Sequence, residues 1–395
     1  MSAKWLLIVL CSLVLGGCWD RTEINDLAII TVAAVDKAEN DHIRLSVQLF
    51  VPRALGAGGA SSGGSSAGGG KLTMMQSSEG VNIADAMSKL QTKIPREIFW
   101  GHCKVYLFGE EVAKKGLSDH IDFLVRHPEP RNRSYLYVSK GNGHDLLKLT
   151  PLLERSTAEV LREFANLHIG MPLTLVDYRN MLRGESEAAA IPMVENGKKI
   201  NHLSEVQKKS TLTGTAIFKK DKMIGTLTLA ETRGMLWLRN EVTRAAISVK
   251  VKDEAGVVSV NPIRSTTKLI PTVENGKWLM RVQVDTEADV VENGTRLDLM
   301  RPELLQMVKN AVRSDIEQRM RSALDVLQHK LNADVVNFAA AFHRKYPKEW
   351  EKANPHWDEI FPQVDVDMQV NVEIRRPGLI ANPAGIPREE VKRHK

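Results

Sequence analysis

Val364, Val366, Met368, Val370, Val372 and Ile374 alternate without a break with polar residues, a period of two that fits a strand with one buried and one wet face. Such a strand needs hydrogen-bonded neighbours and a cover for its apolar side. Ala245 to Val251, Val257 to Ile263, Thr267 to Val273 and Trp278 to Val284 supply candidate strands. Asn275-Gly276 between the last two is a hairpin signal, because both turn positions need positive φ. The cover begins at Pro302, where Leu305, Val308, Val312, Ile316, Met320, Ala323, Leu327 and Leu331 recur every three or four residues. Residues 241–378 therefore read as an antiparallel sheet under a long amphipathic helix. Phe338, Phe342 and Tyr346 repeat every four residues beyond it, a pattern that suits core packing better than a ligand groove.

The first half carries shorter and more mixed signals. Asp26 to Val35 is nearly all apolar and Ile43 to Val51 alternates, with polar residues between, which predicts a β-hairpin. Gly56 to Gly70 consists of Gly, Ala and Ser alone and reads as a flexible insert without chemistry. Ile83, Met87, Leu90 and Ile94 fall at helical spacing. Val105 to Phe108, two short helices from Glu110 and Ser118, and Tyr135 to Ser139 make a βαβ-like unit. Ser156-Thr157-Ala158-Glu159 has capping-box spacing, Thr174 opens a further helix, and Ala188 to Val194 looks like a closing strand. A polar stretch then separates this body, 18–195, from a small β-β-α module over 205–240. Its helix opens on a second capping box, Thr228-Leu229-Ala230-Glu231. The predicted class is α+β in three mixed domains, with a polar tail over 379–395.

The amino terminus is not part of that body. Lys4 precedes the apolar stretch Trp5 to Leu15, too short to span the roughly 30 Å of a bilayer and suited to an export signal over 1–17. Leu15-Gly16-Gly17-Cys18 resembles a bacterial lipobox, which makes Cys18 the expected lipid attachment site and the membrane a partner. With Cys11 lost in the leader and Cys18 acylated, Cys103 is left alone, so no disulfide framework is available. Without a CxxC or a second cysteine, Cys103 beside His102 reads as a small buried residue and not as a nucleophile or ligand.

Catalytic and cofactor constellations do not emerge: the chain has no GxxxxGK[ST], HExxH or EF-hand loop. No catalytic residue, metal or cofactor is therefore nominated, and the expectation is a protein that is not an enzyme. A net charge of +6 over 395 residues is too small an excess to argue for nucleic acid. Two surfaces stand out as partner-binding candidates. One is the proline-stiffened corner from Arg126 to Arg133, with Arg126, Glu129, Arg131 and Arg133. The other is the module helix bearing Glu231, Arg233 and Trp237.

Several of these residues recur in an order that supports a family. Cys18-Trp19-Asp20 with Glu23-Ile24, Phe108-Gly109-Glu110-Glu111, and Asp122 to Arg126 with Glu129 and Arg131 come first. Gly214 to Lys219, Glu231-Thr232-Arg233-Gly234-Met235-Leu236-Trp237, Pro347-Lys348-Glu349-Trp350 and Val372 to Gly378 follow. Together they resemble the Ger(x)C family, the lipoprotein C subunits of nutrient germinant receptors in bacterial endospores. Where that family commonly has Gly-Ile-Asp, this chain has Ala34-Val35-Asp36. The resemblance implies three mixed α/β domains, an anchor on the outer face of the spore inner membrane, and assembly with integral A and B subunits to trigger germination. An alternative from another class is a substrate-binding lipoprotein that delivers a small nutrient to a membrane partner. The absence of repeated βαβ halves counts against it.

Overall fold

In the computed structural model, residues 23–51, 73–149, 151, 153–197, 210–243, 246–377 and 385–392 are described. Cys18, the leader 1–17 and the insert 56–70 lie outside them. The first sheet grows outward from β1 (Leu27–Lys37), whose Ala33 and Val35 enter one core and Val32 and Ala34 another on the opposite face. A strand buried on both faces reads as a continuous apolar run, which is why its alternation is invisible in the sequence. β2 (Ile43–Phe50) returns antiparallel through a turn in which Asn40 and Asp41 take positive φ. β3 (Thr73–Gly80), a strand with little apolar patterning, adds to its outer edge.

On the other side of β1 the strands run parallel. After α1 (Ile83–Gln91), β4 (Glu97–Phe99) pairs with the first residues of β1 and β5 (Val105–Gly109) with its centre. The crossover α2 (Glu110–Lys115) and α3 (Ser118–Arg126) leads to β6 (Tyr135–Ser139), parallel to β5 as the βαβ reading requires. Ser118 begins α3 but makes no side-chain cap. Its N–H points instead to the carboxylate of Asp221, 3.4 Å away on a distant turn. Next come α4 (Gly143–Leu147), α5 (Thr157–Asn166) and α6 (Leu175–Leu182). Ser156 caps α5 at 3.2 Å, while Thr174 and Asp177 close a full capping box on α6. β7 (Ala188–Asn196) is parallel to β6.

β8 (Ser210–Lys219) and β9 (Lys222–Thr228) fall in the stretch expected as a middle module; β8 hydrogen-bonds antiparallel onto β7, and β9 antiparallel onto β8. They extend the first sheet to nine strands in the order β3-β2-β1-β5-β6-β7-β8-β9, with β4 beside β1. α7 (Leu229–Leu238) leaves that sheet and packs against a helix of the second half, so one apolar core continues from β1 into the C-terminal sheet.

The second sheet orders β10 (Ile247–Val249), β11 (Val258–Glu274), β12 (Lys277–Asn293) and β13 (Asp365–Arg376). The stretches 257–263 and 267–273 are parts of one bulged strand, β11. Asn275 and Gly276 turn it into β12 with φ of 50° and 76°, the hairpin that the dipeptide predicts. α8 (Pro302–Leu324) buries Val308, Val312, Ile316, Met320 and Ala323, with Leu304 in place of Leu305 at its inner start. It passes into a wider turn, Asp325–Lys330, whose buried Gln328 donates to the carbonyls of Phe361 and Val364 at 2.8 and 3.1 Å.

One expectation for this sheet needs correction: it is antiparallel only through β10, β11 and β12, and β13 lies parallel to β12. A 23-residue helix spans about 35 Å, so α8 can carry the chain back along the sheet before the last strand enters. The alternation of β13 shows which face is buried and is blind to strand direction. Between α8 and β13, α9 (Phe338–Lys345), α10 (Pro347–Ala353) and α11 (Trp357–Ile360) gather Phe342, Trp350 and Trp357 into an aromatic cluster that also takes Trp278, and Phe338 joins it through Phe361. The four-residue aromatic repeat is thus a packing device. Within the tail, Lys392 bridges in parallel to Leu297 and pairs with Glu254 at 2.8 Å.

Candidate functional site

The two surfaces singled out from sequence have different structural standing, and within each the four or three residues divide. The corner after α3 is held at several points. The Ser134 hydroxyl donates to the Cys103 carbonyl at 2.6 Å, the Ser134 N–H to the Arg131 carbonyl at 3.0 Å, and the Val176 N–H to the Asn132 carbonyl at 3.0 Å. Between Pro128 and Pro130, Glu129 turns inward and its carboxylate accepts the N–H of Trp100 at 2.7 Å. Trp100 is buried against Phe123 and donates its indole N–H to the Met87 sulfur at 3.0 Å. Glu129 is therefore a strut of this corner. Arg126 is forked onto Asp122 one turn back, at 2.9 and 2.7 Å, and the guanidinium holds that carboxyl below its usual range. Arg131 and Arg133 are exposed and form no ion pair among the described residues. They are the chemically available part of the corner.

On α7 the sequence signal resolves the same way. The Thr228 hydroxyl accepts the Glu231 N–H at 3.3 Å and the Glu231 carboxylate accepts the Thr228 N–H at 2.7 Å, so both halves of the capping box exist and Glu231 is committed to the helix start. The hydroxyls of Thr232 and Thr215 meet at 3.0 Å in the interior, tying α7 to β8. Trp237 is 3% exposed and its carbonyl takes the hydroxyl of Thr267 on β11 at 2.7 Å. Arg239, just past the helix, forks onto Glu241 at 3.0 and 2.7 Å and reaches the Val335 carbonyl. The helix so joins the two sheets. Arg233 alone of the three nominated residues points outward and is exposed, without an ion pair among the described residues.

Sequence reasoning missed the groove that Arg233 borders. A cavity of about 520 Å³ opens between the end of α5, the start of β8 and α7, with Leu212, Leu236 and Trp237 at its base. Leu167 and Ile169, the residues after α5, become informative only once β8 is known to lie beside them. Cys18 lies outside the described residues. Among those residues no group of three His, Cys, Asp or Glu side chains is placed to hold a metal, and no helix is long and apolar enough to cross a membrane.

Comparison with known proteins adds three findings. Residues 20–196 match the family model described as the spore germination protein N-terminal domain, and residues 213–378 match the model described as spore germination B3/GerAC like, C-terminal. The chain is 29% identical over 399 residues to spore germination protein KC of Bacillus subtilis (strain 168), covering 96% of each chain. It is 24% identical over 390 residues to spore germination protein B3 of the same organism, covering 96% of this chain and 99% of that one. The crystal structure of the GerBC protein superposes with a TM-score of 0.58 over 87% of this chain and 96% of that chain, at 20% identity, which establishes the shared fold.

Proposed function

The chain belongs to the spore germination B3/GerAC-like family and so has a role in germination, and from that premise we propose that it is the lipid-anchored, non-enzymatic C subunit of a nutrient germinant receptor. The observation that carries the reading is co-linearity: the two family models tile the chain from residue 20 to residue 378, and the first begins two residues after Cys18. A domain that starts immediately past a lipobox cysteine suits a protein whose working body is tethered at its first residue. Two acyl chains on Cys18, each buried CH₂ contributing about 0.8 kcal/mol, give stable attachment where one gives marginal binding.

In this reading the body sits on the outer face of the spore inner membrane and acts by touching integral A and B subunits. Arg131 and Arg133 are the contact residues we favour, since Arg126 and Glu129 are already engaged by Asp122 and Trp100. The relatives' names speak of germination and of no reaction, which supports a role in assembly or signalling without catalysis.

The test is Cys18→Ala in spores. Membrane fractionation should show the variant uncut and depleted from the inner membrane, and the receptor's integral subunits should no longer co-purify with it. A variant that is retained and assembled like the wild type would remove the anchor from this account.

A further inference from the structure

Leu167, Ile169 and Leu229 are each 48% exposed, and they come from two places in the chain, the turn after α5 and the start of α7, to stand around one opening. Scattered exposed leucines need no explanation, but three large apolar side chains converging on the mouth of one cavity do. Its volume, about 520 Å³, falls within the range of roughly 300–1,000 Å³ usual for small-molecule sites. The base is built from Leu236 and Trp237, at 6% and 3% exposure in the core that joins the two sheets, and Leu212, at 6% in the core on the other face of the first sheet.

The charges at this opening are unequal. Glu241 borders it, but both of its oxygens are taken by Arg239, at 3.0 and 2.7 Å. Arg233 borders it too, exposed and in no ion pair among the described residues. Among the described residues the groove therefore offers an apolar body and one unmatched guanidinium, a fork whose geometry fits a carboxylate in two parallel hydrogen bonds.

We propose that this groove is a binding site for a small carboxylate with an apolar body, the hydrocarbon part lying on Leu229, Leu236 and Trp237 and the anion on Arg233. The site goes beyond the receptor-subunit reading and does not depend on how the chain is anchored.

The full chain can be titrated with 3-phenylpropionate, and with 3-phenylpropanamide as the neutral isostere, by calorimetry and by tryptophan emission. The acid should bind saturably at one site, shift the emission, and bind roughly tenfold tighter than the amide, the margin expected of one charge-assisted contact. Arg233→Gln should weaken the acid about tenfold and leave the amide unchanged, with the unfolding midpoint as in the wild type. Leu229→Asp should weaken both. No saturable binding of the acid, equal binding of acid and amide, or wild-type binding by both variants would each overturn the proposal. A partner protein occupying the groove instead would give the first of these results.

Discussion

The α-carbon of Gly234 lies against the backbone carbonyl of Arg319 where α7 crosses α8, with the Ala323 methyl beside that carbonyl. A glycine here sets the distance between the two helices that join the sheets. A β-carbon would overlap a carbonyl that has no freedom to retreat, so the glycine inside Glu231-Thr232-Arg233-Gly234 is a packing requirement.

Gly234→Ala should therefore destabilise the protein. Overpacking of this kind costs about 1–3 kcal/mol and outweighs the ~1 kcal/mol by which alanine favours an isolated helix over glycine. Gly276→Ala is the control. It has open space around it but a φ of 76°, so its cost of about 1–2 kcal/mol is conformational alone. Urea unfolding measures both, and Gly234→Val should lose more than Gly234→Ala. Equal tolerance of alanine and valine at 234 would mean that the helices separate freely.

Asp36 supplies a pH-dependent prediction. It is 1% exposed, and its carboxylate accepts the N–H groups of Gly143 and His144 at 2.6 and 2.7 Å. Burial raises its pKa above the usual aspartate value, and the two amide donors and Arg44 only partly oppose that. Above the unfolded-state pKa the folded chain then binds more protons at this site than the unfolded one, so the site's contribution is complete below about pH 4 and declines as pH rises through the folded value. Asp36→Asn keeps the size but turns an amide donor toward a backbone donor, a loss of about 1–3 kcal/mol. Stability measured from pH 3 to pH 8 should show the wild-type margin over the variant narrowing as pH rises. A margin that widens would mean that the two N–H donors outweigh burial.

Much of this architecture is legible in the sequence wherever one face is wet. The alternation in β13, the stripe on α8, the Asn275-Gly276 turn, the Ser156 cap of α5 and the capping box at Thr228 are local rules obeyed locally. What escapes is set by long-range pairing. β3 carries Ser77, Ser78 and Glu79 and is a strand only because β2 offers it an edge. The parallel placement of β13 depends on where α8 delivers the chain, and the roles of Glu129 and Asp221 depend on backbone N–H groups 29 and 103 residues away. Among the nominated surface residues, charge identified the right loops but could not say which charges were already matched.

Cys103 tests the reading of the lone thiol. It is 1% exposed, and burial pushes its pKa up to about 12, against a modest opposing pull from neighbouring hydrogen bonds. The thiolate is then scarce at neutral pH and out of reach. Mass-resolved alkylation of the Cys103 peptide at pH 8 should be slow in the native protein and should accelerate with urea in step with unfolding. Rapid native labelling would return Cys103 to the list of reactive groups.

The corner after α3 gives the sharpest separation of structure from contact. Glu129→Ala leaves the N–H of Trp100 without its acceptor beside a buried indole, so about 1–3 kcal/mol of stability should be lost. Arg131→Ala with Arg133→Ala removes two exposed charges that pair with nothing among the described residues, and stability should stay within about 0.5 kcal/mol of the wild type. If the corner meets the integral subunits, the double arginine variant should nevertheless capture them several-fold less well from spore membranes. The loss should deepen as ionic strength falls, because the screening that weakens the wild-type contact in salt is then removed. Arg126→Ala, whose charge is already matched by Asp122, should have the smaller effect on capture. Undiminished capture by the double variant at low salt would take the corner out of the interface, whatever Glu129→Ala does to folding.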